Sequence, residues 1–302
     1  MPRGDLCTTV GRYKVLEGLG EGSFGNVMLA SGVATGLKVA VKAGTPSSHE
    51  SLQQECNAYH ALTATYPRWT FECGFPFLRV LAHDLRGPLP WLALEYFPSK
   101  TLHCFLGKVN GEVFMSLALQ LVGGIAYLHE EGIMHLDLKT DNVLYAEHTR
   151  QLNIIDFGKA HTAASSVVCD FSKEKLCNEW YRPPELWTRP LRRGLVTPAV
   201  DTWDVGLIVF ALAEGFHPIH FFRRGKPGSA EDALDACRGA RSVKNEKWKQ
   251  FLGAIQRLDM DWGNMILDMC RFEFQARPNM QKLPILSFIG RASRSVFRPC
   301  NW

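Results

Sequence analysis

The chain has 302 residues, 46% of them hydrophobic and 21% charged, which excludes a disordered or fibrous polypeptide and leaves room for one large domain or two ordinary ones. Its net charge of +4 is small, and its basic residues lack the dense stripe of a dedicated nucleic-acid binder; Arg192, Arg193, Arg291, Arg294 and Arg298 read as solvated faces. Nine cysteines without a single C-x-x-C pair exclude zinc-ribbon and thioredoxin patterns and suit a reducing compartment.

Met1 to Val10 lacks a basic-then-apolar leader, and no uncharged apolar run reaches the roughly 18–20 residues that span a bilayer. Pro2 excludes N-myristoylation, and Cys300 stands third rather than fourth from the end. No membrane anchor is therefore expected, and a cytoplasmic or nuclear location follows by elimination. Tyr13 to Leu19 and Asn26 to Ala30 read as strands around a Gly-rich turn, and Lys38 to Ala43 as a third, with Gly32 and Gly36 marking the hairpin between the second and third. Glu50 to Thr63 reads as a helix. Phe77 to Ala82 and Trp91 to Tyr96 read as two more strands, so five strands and one helix form a small, mostly antiparallel layer.

After Pro98 the pattern turns helical. Phe114, Leu117, Leu121, Ile125 and Leu128 recur at three- and four-residue steps, an apolar stripe. Trp203 to Ala213 is apolar on nearly every face, as a core helix is. The expected division is a sheet-rich lobe over residues 1–96 and a larger helical lobe over 97–302, within one domain. The cleft between them is the default ligand site.

Four segments carry chemistry. Gly20-Glu21-Gly22-Ser23-Phe24-Gly25-Asn26-Val27 fits G-x-G-x-x-G-x-V; glycines let the backbone approach phosphate oxygens and offer N–H groups to them. In a dinucleotide fold such glycines open a helix, whereas Val27 to Ala30 continues as a strand. In Val39-Ala40-Val41-Lys42, a lysine among apolar strand residues buries its stem and presents its charge to a cleft. Glu50 and Glu55 on the next helix are the carboxylates that could hold it; Tyr59 and Leu62, inward at helical spacing, favour Glu55. In His135-Leu136-Asp137-Leu138-Lys139-Thr140-Asp141-Asn142, Asp137 can accept a proton from an attacking hydroxyl, Lys139 can neutralise a moving phosphoryl group, and Asn142 can offer oxygen to a hard cation. Asp156-Phe157-Gly158 follows Asn142 by fourteen residues at the end of an apolar run, a place to hold Mg²⁺ against phosphates.

In order and spacing these segments resemble the eukaryotic protein kinase family. Pro183-Pro184-Glu185 resembles the A-P-E motif, Asp201 to Gly206 the D-x-W-S-x-G stretch, and Arg277-Pro278 the late Arg-Pro whose Arg pairs with the A-P-E glutamate. The resemblance implies an α+β, bilobal fold with a five-stranded antiparallel sheet lobe, ATP and Mg²⁺ as ligands, and a protein substrate. It implies that Gly20 to Gly25 cover the ATP phosphates, Lys42 contacts them and pairs with Glu55, Asn142 and Asp156 bind Mg²⁺, and Asp137 is the base. Leu19, Val27, Ala40 and Leu144 would flank adenine, Glu95 and Phe97 would face it through the backbone, and Leu94 would guard the pocket behind.

Lys139, two residues after Asp137, resembles the Ser/Thr branch. Leu136 replaces the Arg of H-R-D, which in many members pairs with a phosphorylated activation-loop residue, so control through that contact is not expected. Thr140 replaces a common Pro, and Asn178 a common Thr. Thr162, Ser165, Ser166 and Ser172 are loop hydroxyls open to phosphorylation, though solvated loop residues suffice to explain them. An alternative is a pseudokinase scaffold that binds nucleotide with little transfer. Small-molecule kinases share H-x-D but usually lack D-F-G and A-P-E. No accessory domain is visible; substrate choice would rest on the helical lobe around Phe216 to Asn245, leaving room for a regulatory protein partner.

Overall fold

A computed structural model describes residues 9–22, 25–69, 74–162, 166–170, 176–187, 193–217, 253–254, 260–271 and 273–283. Ser23, Phe24, Ser165, Ser172, Arg192, Arg291, Arg294, Arg298 and residues 218–245 lie outside them.

Six strands form one sheet: β1 (Thr9–Val10), β2 (Tyr13–Gly22), β3 (Gly25–Gly32), β4 (Lys38–Ala43), β5 (Val80–Asp84) and β6 (Trp91–Glu95). Their order is β1-β2-β3-β4-β6-β5, and every neighbouring pair is antiparallel. The five expected strands are present, and the two-residue β1 adds a sixth at the edge. The turn between β3 and β4 closes through Gly36 N–H to the Gly32 carbonyl at 2.8 Å, with Gly36 at φ +68°, a conformation that suits glycine. The fourth expected strand starts three residues later than its apolar run. Phe77 instead bridges in parallel to Ile154 and buries its ring beside Tyr127 and Phe157.

Helix α1 (His49–Thr65) lies between β4 and β5 in sequence and buries Leu52, Glu55, Cys56, Tyr59 and Leu62. These recur at three- and four-residue steps, so one face turns inward. Helix α2 (Gly111–Glu130) starts where Asn110 accepts the Val113 N–H at 2.9 Å, an N-cap. It is long and apolar enough to cross a membrane by composition, yet Leu117, Leu121, Ile125 and Leu128 are fully buried within the fold.

The second half is built on α2, α3 (Pro184–Trp187), α4 (Ala199–Glu214) and α5 (Met260–Met269). Short ladders thread between the helices. β7 (Lys100–Thr101), β9 (Val143–Ala146) and β10 (Gln151–Ile154) form a three-stranded sheet. β8 (Ile133–Met134) pairs with β11 (His161–Thr162), and β12 (Val167–Asp170) with β13 (Arg193–Val196). One apolar cluster runs from Leu52, Leu62 and Leu92 through Leu121 and Ile125 to Phe210 and Met269, so the two halves share a core.

Two buried polar groups on or beside α4 contrast. The Arg277 side chain is fully buried and donates to both Glu185 oxygens at 2.7 Å, to Ala199 O and to Arg271 O. Each of the three guanidinium nitrogens thus has an acceptor, the condition under which a buried charge is tolerated. Asp204 is also fully buried, but neither of its carboxyl oxygens has a hydrogen-bond partner among the described residues. Burial, together with nearby Asp201 and Asp137, pushes its carboxyl well above the usual range, and Arg277 offsets only part of this. The folded chain therefore keeps a proton that the unfolded chain releases near pH 4 (about 3.9 for a free Asp). Its contribution to stability is full below that pH and is lost as pH rises toward the folded value. Asp204→Asn should gain on the native chain between pH 5 and pH 8, by up to about 1.4 kcal/mol per pH unit, measured from urea midpoints. A difference that is flat, or that shrinks with rising pH, would contradict this assignment.

Candidate active site

The site is assembled around β4. Side chains two apart on a strand share a face, and directly opposed residues of antiparallel neighbours point the same way. Lys42 and Ala40 are two apart on β4. Val27 on β3 opposes Lys42, Leu94 on β6 opposes Ala40, and Gly20 on β2 opposes Val27. Lys42, Ala40, Val27 and Leu94 therefore line one face of the sheet beneath the Gly-rich hairpin. Leu94 is buried and Val27, Ala40 and Leu144 are half-buried, whereas Leu19 is exposed. Glu21 and Gly22 close the hairpin opposite Asn26 and Gly25. Gly25 sits at φ +148°, and a Cβ there would collide with the Ala43 carbonyl oxygen, so only glycine fits. The Glu95 N–H donates to Arg79 O, and its carboxylate accepts from Nε and Nη2 of Arg79; the Phe97 carbonyl accepts the Ser99 hydroxyl.

From this face Lys42 Nζ reaches two carboxylates, Glu55 Oε2 at 2.6 Å on α1 and Asp156 Oδ1 at 2.7 Å. The Lys42 and Glu55 side chains are almost completely buried, so Glu55 and not the solvent-facing Glu50 is the partner. Burial alone would pull the lysine pKa down, but the two carboxylates outweigh it and hold the ammonium charged, above its ordinary range. Burial would likewise push Asp156 up, and Lys42 overcomes it, so this carboxyl lies below its ordinary value. Phe157 packs edge-on against Tyr59 of α1 and at a tilt against His135, both with ring centroids 4.9 Å apart. The Ser51 hydroxyl donates to Gly158 O at 2.8 Å. The Asp156-Phe157-Gly158 segment is thus tied to α1 by a charge, a ring and a hydrogen bond.

The loop holding Asp137 is fixed from below. The buried Asp201 carboxylate accepts the His135 N–H at 2.8 Å and the Leu136 N–H at 2.9 Å, and lies 2.9 Å from His129 Nε2. Burial pushes Asp201 up, but those hydrogen bonds and the histidines hold it below its ordinary value. The clamp accommodates Leu136 at φ +60°, a conformation that costs on the order of 1–3 kcal/mol for a residue with a Cβ. Asn142 Nδ2 donates to the Asp137 carbonyl at 2.8 Å, which leaves the amide oxygen to accept or coordinate. Lys139 lines a cleft of about 560 Å³ with Asp141, Asn178, Trp180 and Phe216. Thr140, where a Pro would have no N–H, donates that N–H to the Tyr181 hydroxyl.

A family model described as the protein kinase domain matches residues 13–289. The chain belongs to the protein kinase family. Among curated proteins it is 27% identical over 212 residues to serine/threonine-protein kinase ppk25 of Schizosaccharomyces pombe, covering 69% of this chain and 48% of that one. It is 30% identical over 214 residues to cyclin-dependent kinase F-3 of Oryza sativa subsp. japonica, with 67% and 44% covered. It is 26% identical over 279 residues to serine/threonine-protein kinase dkf-1 of Caenorhabditis briggsae, with 89% and 34% covered. The chain thus spans half or less of the length of these relatives.

Three features of this kinase site escaped the sequence reading. Lys159 Nζ lies 2.9 Å from Asp137 Oδ1 and is the neighbour that pairs with this carboxylate. Its signal was a basic residue directly after Asp156-Phe157-Gly158. The Asn178 side-chain oxygen accepts the Trp180 N–H in a local turn. The Leu136 side chain is fully buried with Met134, Cys169, Leu176, Cys177, Val196 and Val200, a cluster that joins β8, β12 and β13 to the residues around Leu176. Its backbone carbonyl also accepts the Cys177 N–H at 2.9 Å.

Removing one partner of a buried pair strands the other charge, at a cost of about 3–5 kcal/mol. Lys42→Met should therefore destabilise the fold by about that amount, and adding Glu55→Met should recover at least half of it. Chemical denaturation of the two single variants and the double variant checks this. Additive losses would contradict a coupled pair.

Proposed function

We propose that this chain is a Mg²⁺-dependent protein kinase that transfers the γ-phosphate of ATP to Ser/Thr hydroxyls of protein substrates. The observation that carries the reading is the placement of Lys42 between Glu55 and Asp156, with Asp137 and Asn142 on the adjoining loop. The sheet face of Val27, Ala40 and Leu94, with Leu144 and the half-buried hinge residues Glu95 and Phe97, is apolar enough for an adenine ring. The Lys42 ammonium then meets the phosphates, and the hairpin from Gly20 to Gly25 covers them. Asn142 and Asp156 are hard oxygen donors of the kind Mg²⁺ takes, so they fit the ion. When bound, Mg²⁺ neutralises phosphate charge.

The substrate hydroxyl attacks the γ-phosphorus, the bond to the β-phosphate oxygen breaks, and ADP leaves. Asp137 orients that hydroxyl and takes its proton. Lys159 occupies Oδ1 of Asp137 and leaves Oδ2 for the incoming group. Lys139, two residues on and lining the open cleft, stands where the transferred phosphoryl needs compensation. The Ser/Thr preference rests on Lys139 and on the similarity to the serine/threonine-protein kinases above. A reducing compartment, the cytosol or nucleus, agrees with Cys56, Cys104, Cys177 and Cys270, which are free thiols.

Leu136 carries the regulatory part of the proposal. An arginine there would wait for a phosphate, whereas the leucine is already packed against the segment that follows Asp156. The segment is therefore held by apolar burial rather than by a phosphorylated residue.

Transfer of labelled γ-phosphate to a generic protein substrate should require Mg²⁺ and fall by at least about 10²-fold in Asp137→Asn. Nucleotide binding without transfer by the native chain would instead support a scaffold. Phosphatase treatment should leave the native rate within about twofold, a change worth less than 1 kcal/mol in barrier. Loss of turnover on dephosphorylation, restored by a loop phosphosite, would refute the regulatory reading.

A further inference from the structure

A second cluster lies on the same sheet-and-helix unit but takes no part in the chemistry above. Cys56 and His60 are four residues apart on α1 and so face the same side. His83 is on β5, the edge strand of the sheet. The Sγ of Cys56 and one ring nitrogen from each histidine lie within 4.8 Å of one another. The His60 and His83 rings meet edge to face with centroids 5.8 Å apart. Cys56 is buried and free, and both histidines are exposed. A sulfur at the floor and two imidazoles at the rim leave one side open to solvent.

We propose that Cys56, His60 and His83 form a Zn²⁺ site that clamps α1 to the edge of the sheet. The donor set argues for this ion. One thiolate and two imidazoles suit zinc, at bond lengths of about 2.0–2.3 Å, and are poor ligands for Mg²⁺. Tetrahedral geometry at those lengths places ligand atoms about 3.3–3.8 Å apart, so the three groups need to close by no more than about 1.5 Å. Exposed imidazoles can make that movement by side-chain rotation, without moving the helix. Water takes the fourth position. On binding, the thiol proton leaves to solvent and the sulfur bonds to the metal.

The position gives the site a consequence. His83 opposes Leu92 on β6, and Leu92 opposes Lys42 on β4, so the three side chains form one row across one face of the sheet. Glu55, which pairs with Lys42, is the residue before Cys56. The metal and the Lys42–Glu55 ion pair therefore join the same turn of α1 to the same row of the sheet. A bound ion fixes the helix in the register that the ion pair requires.

The full chain, stripped with a chelator, is titrated with Co²⁺ as a spectroscopic probe and then with Zn²⁺. A saturable 1:1 thiolate-to-cobalt charge-transfer absorption is expected, displaced by Zn²⁺, with a rise in Tm of about 3 °C or more at saturating Zn²⁺. His83→Ala and His60→Ala, both at exposed positions, should keep the metal-free Tm and bind at least about tenfold more weakly. Cys56→Ala should lose the charge-transfer absorption. No saturable absorption in the native chain, or an absorption that persists undiminished in both histidine variants, overturns the proposal. The readout is metal binding rather than phosphoryl transfer, so its failure leaves the kinase reading standing, and the reverse also holds.

Discussion

The ammonium of Lys42 is shared between a carboxylate on α1 and a carboxylate after β10. It is almost completely buried, so neither contact is exchanged freely for water. A cation in that setting is stable only while both anions stay near it, because an unpaired buried charge costs several kcal/mol. Three elements that are distant in sequence are thereby held in one geometry: β4, α1 and the segment starting at Asp156. The Phe157 ring between Tyr59 and His135 passes the same constraint on to the loop that carries Asp137.

Asp201 does for the second half what Lys42 does at the junction. It is a buried anion on α4 that collects two backbone N–H groups and an imidazole nitrogen. The left-handed backbone at Leu136 persists because those bonds over-determine it. Asp156, also left-handed at φ +67°, is held by its own ion pair with Lys42. Strain therefore coincides with two residues of the candidate site, and each has an identified buried partner. Asp204, one turn along α4 from Asp201, has no such partner among the described residues, so its carboxyl is a less compensated point on the same helix.

Much of this was legible in the sequence. Period-two strands, the glycine-bounded hairpins and the helical stripes of α1 and α2 are local patterns, and each surfaced as an element. Glu55 was preferred over Glu50 because Tyr59 and Leu62 marked the inward face, and α1 does bury that face. Pairings without a periodic signature did not surface. Lys159 reaches Asp137 across a fold of the chain, and His83 meets Cys56 and His60 only because β5 returns to the sheet edge. Leu136 could be seen as a missing arginine, but not as a core residue, because its apolar partners come from β8, β12, β13 and the segment around Leu176. Phe77 stood at the start of an expected strand that instead begins at Val80, since the Phe77 ring packs between the two halves rather than in the sheet.

The central claim is that β4, α1 and the Asp156 segment meet to hold an ATP·Mg²⁺ complex. Calorimetric titration of the full chain with ATP, with and without Mg²⁺, in the native protein and in Asp156→Asn, tests it most directly. The account predicts 1:1 binding that tightens at least about tenfold with Mg²⁺ in the native protein, roughly 1.4 kcal/mol, and that Mg²⁺ no longer strengthens in the variant. Binding that ignores Mg²⁺ in the native protein, or that keeps its full Mg²⁺ dependence without the Asp156 carboxylate, would contradict it.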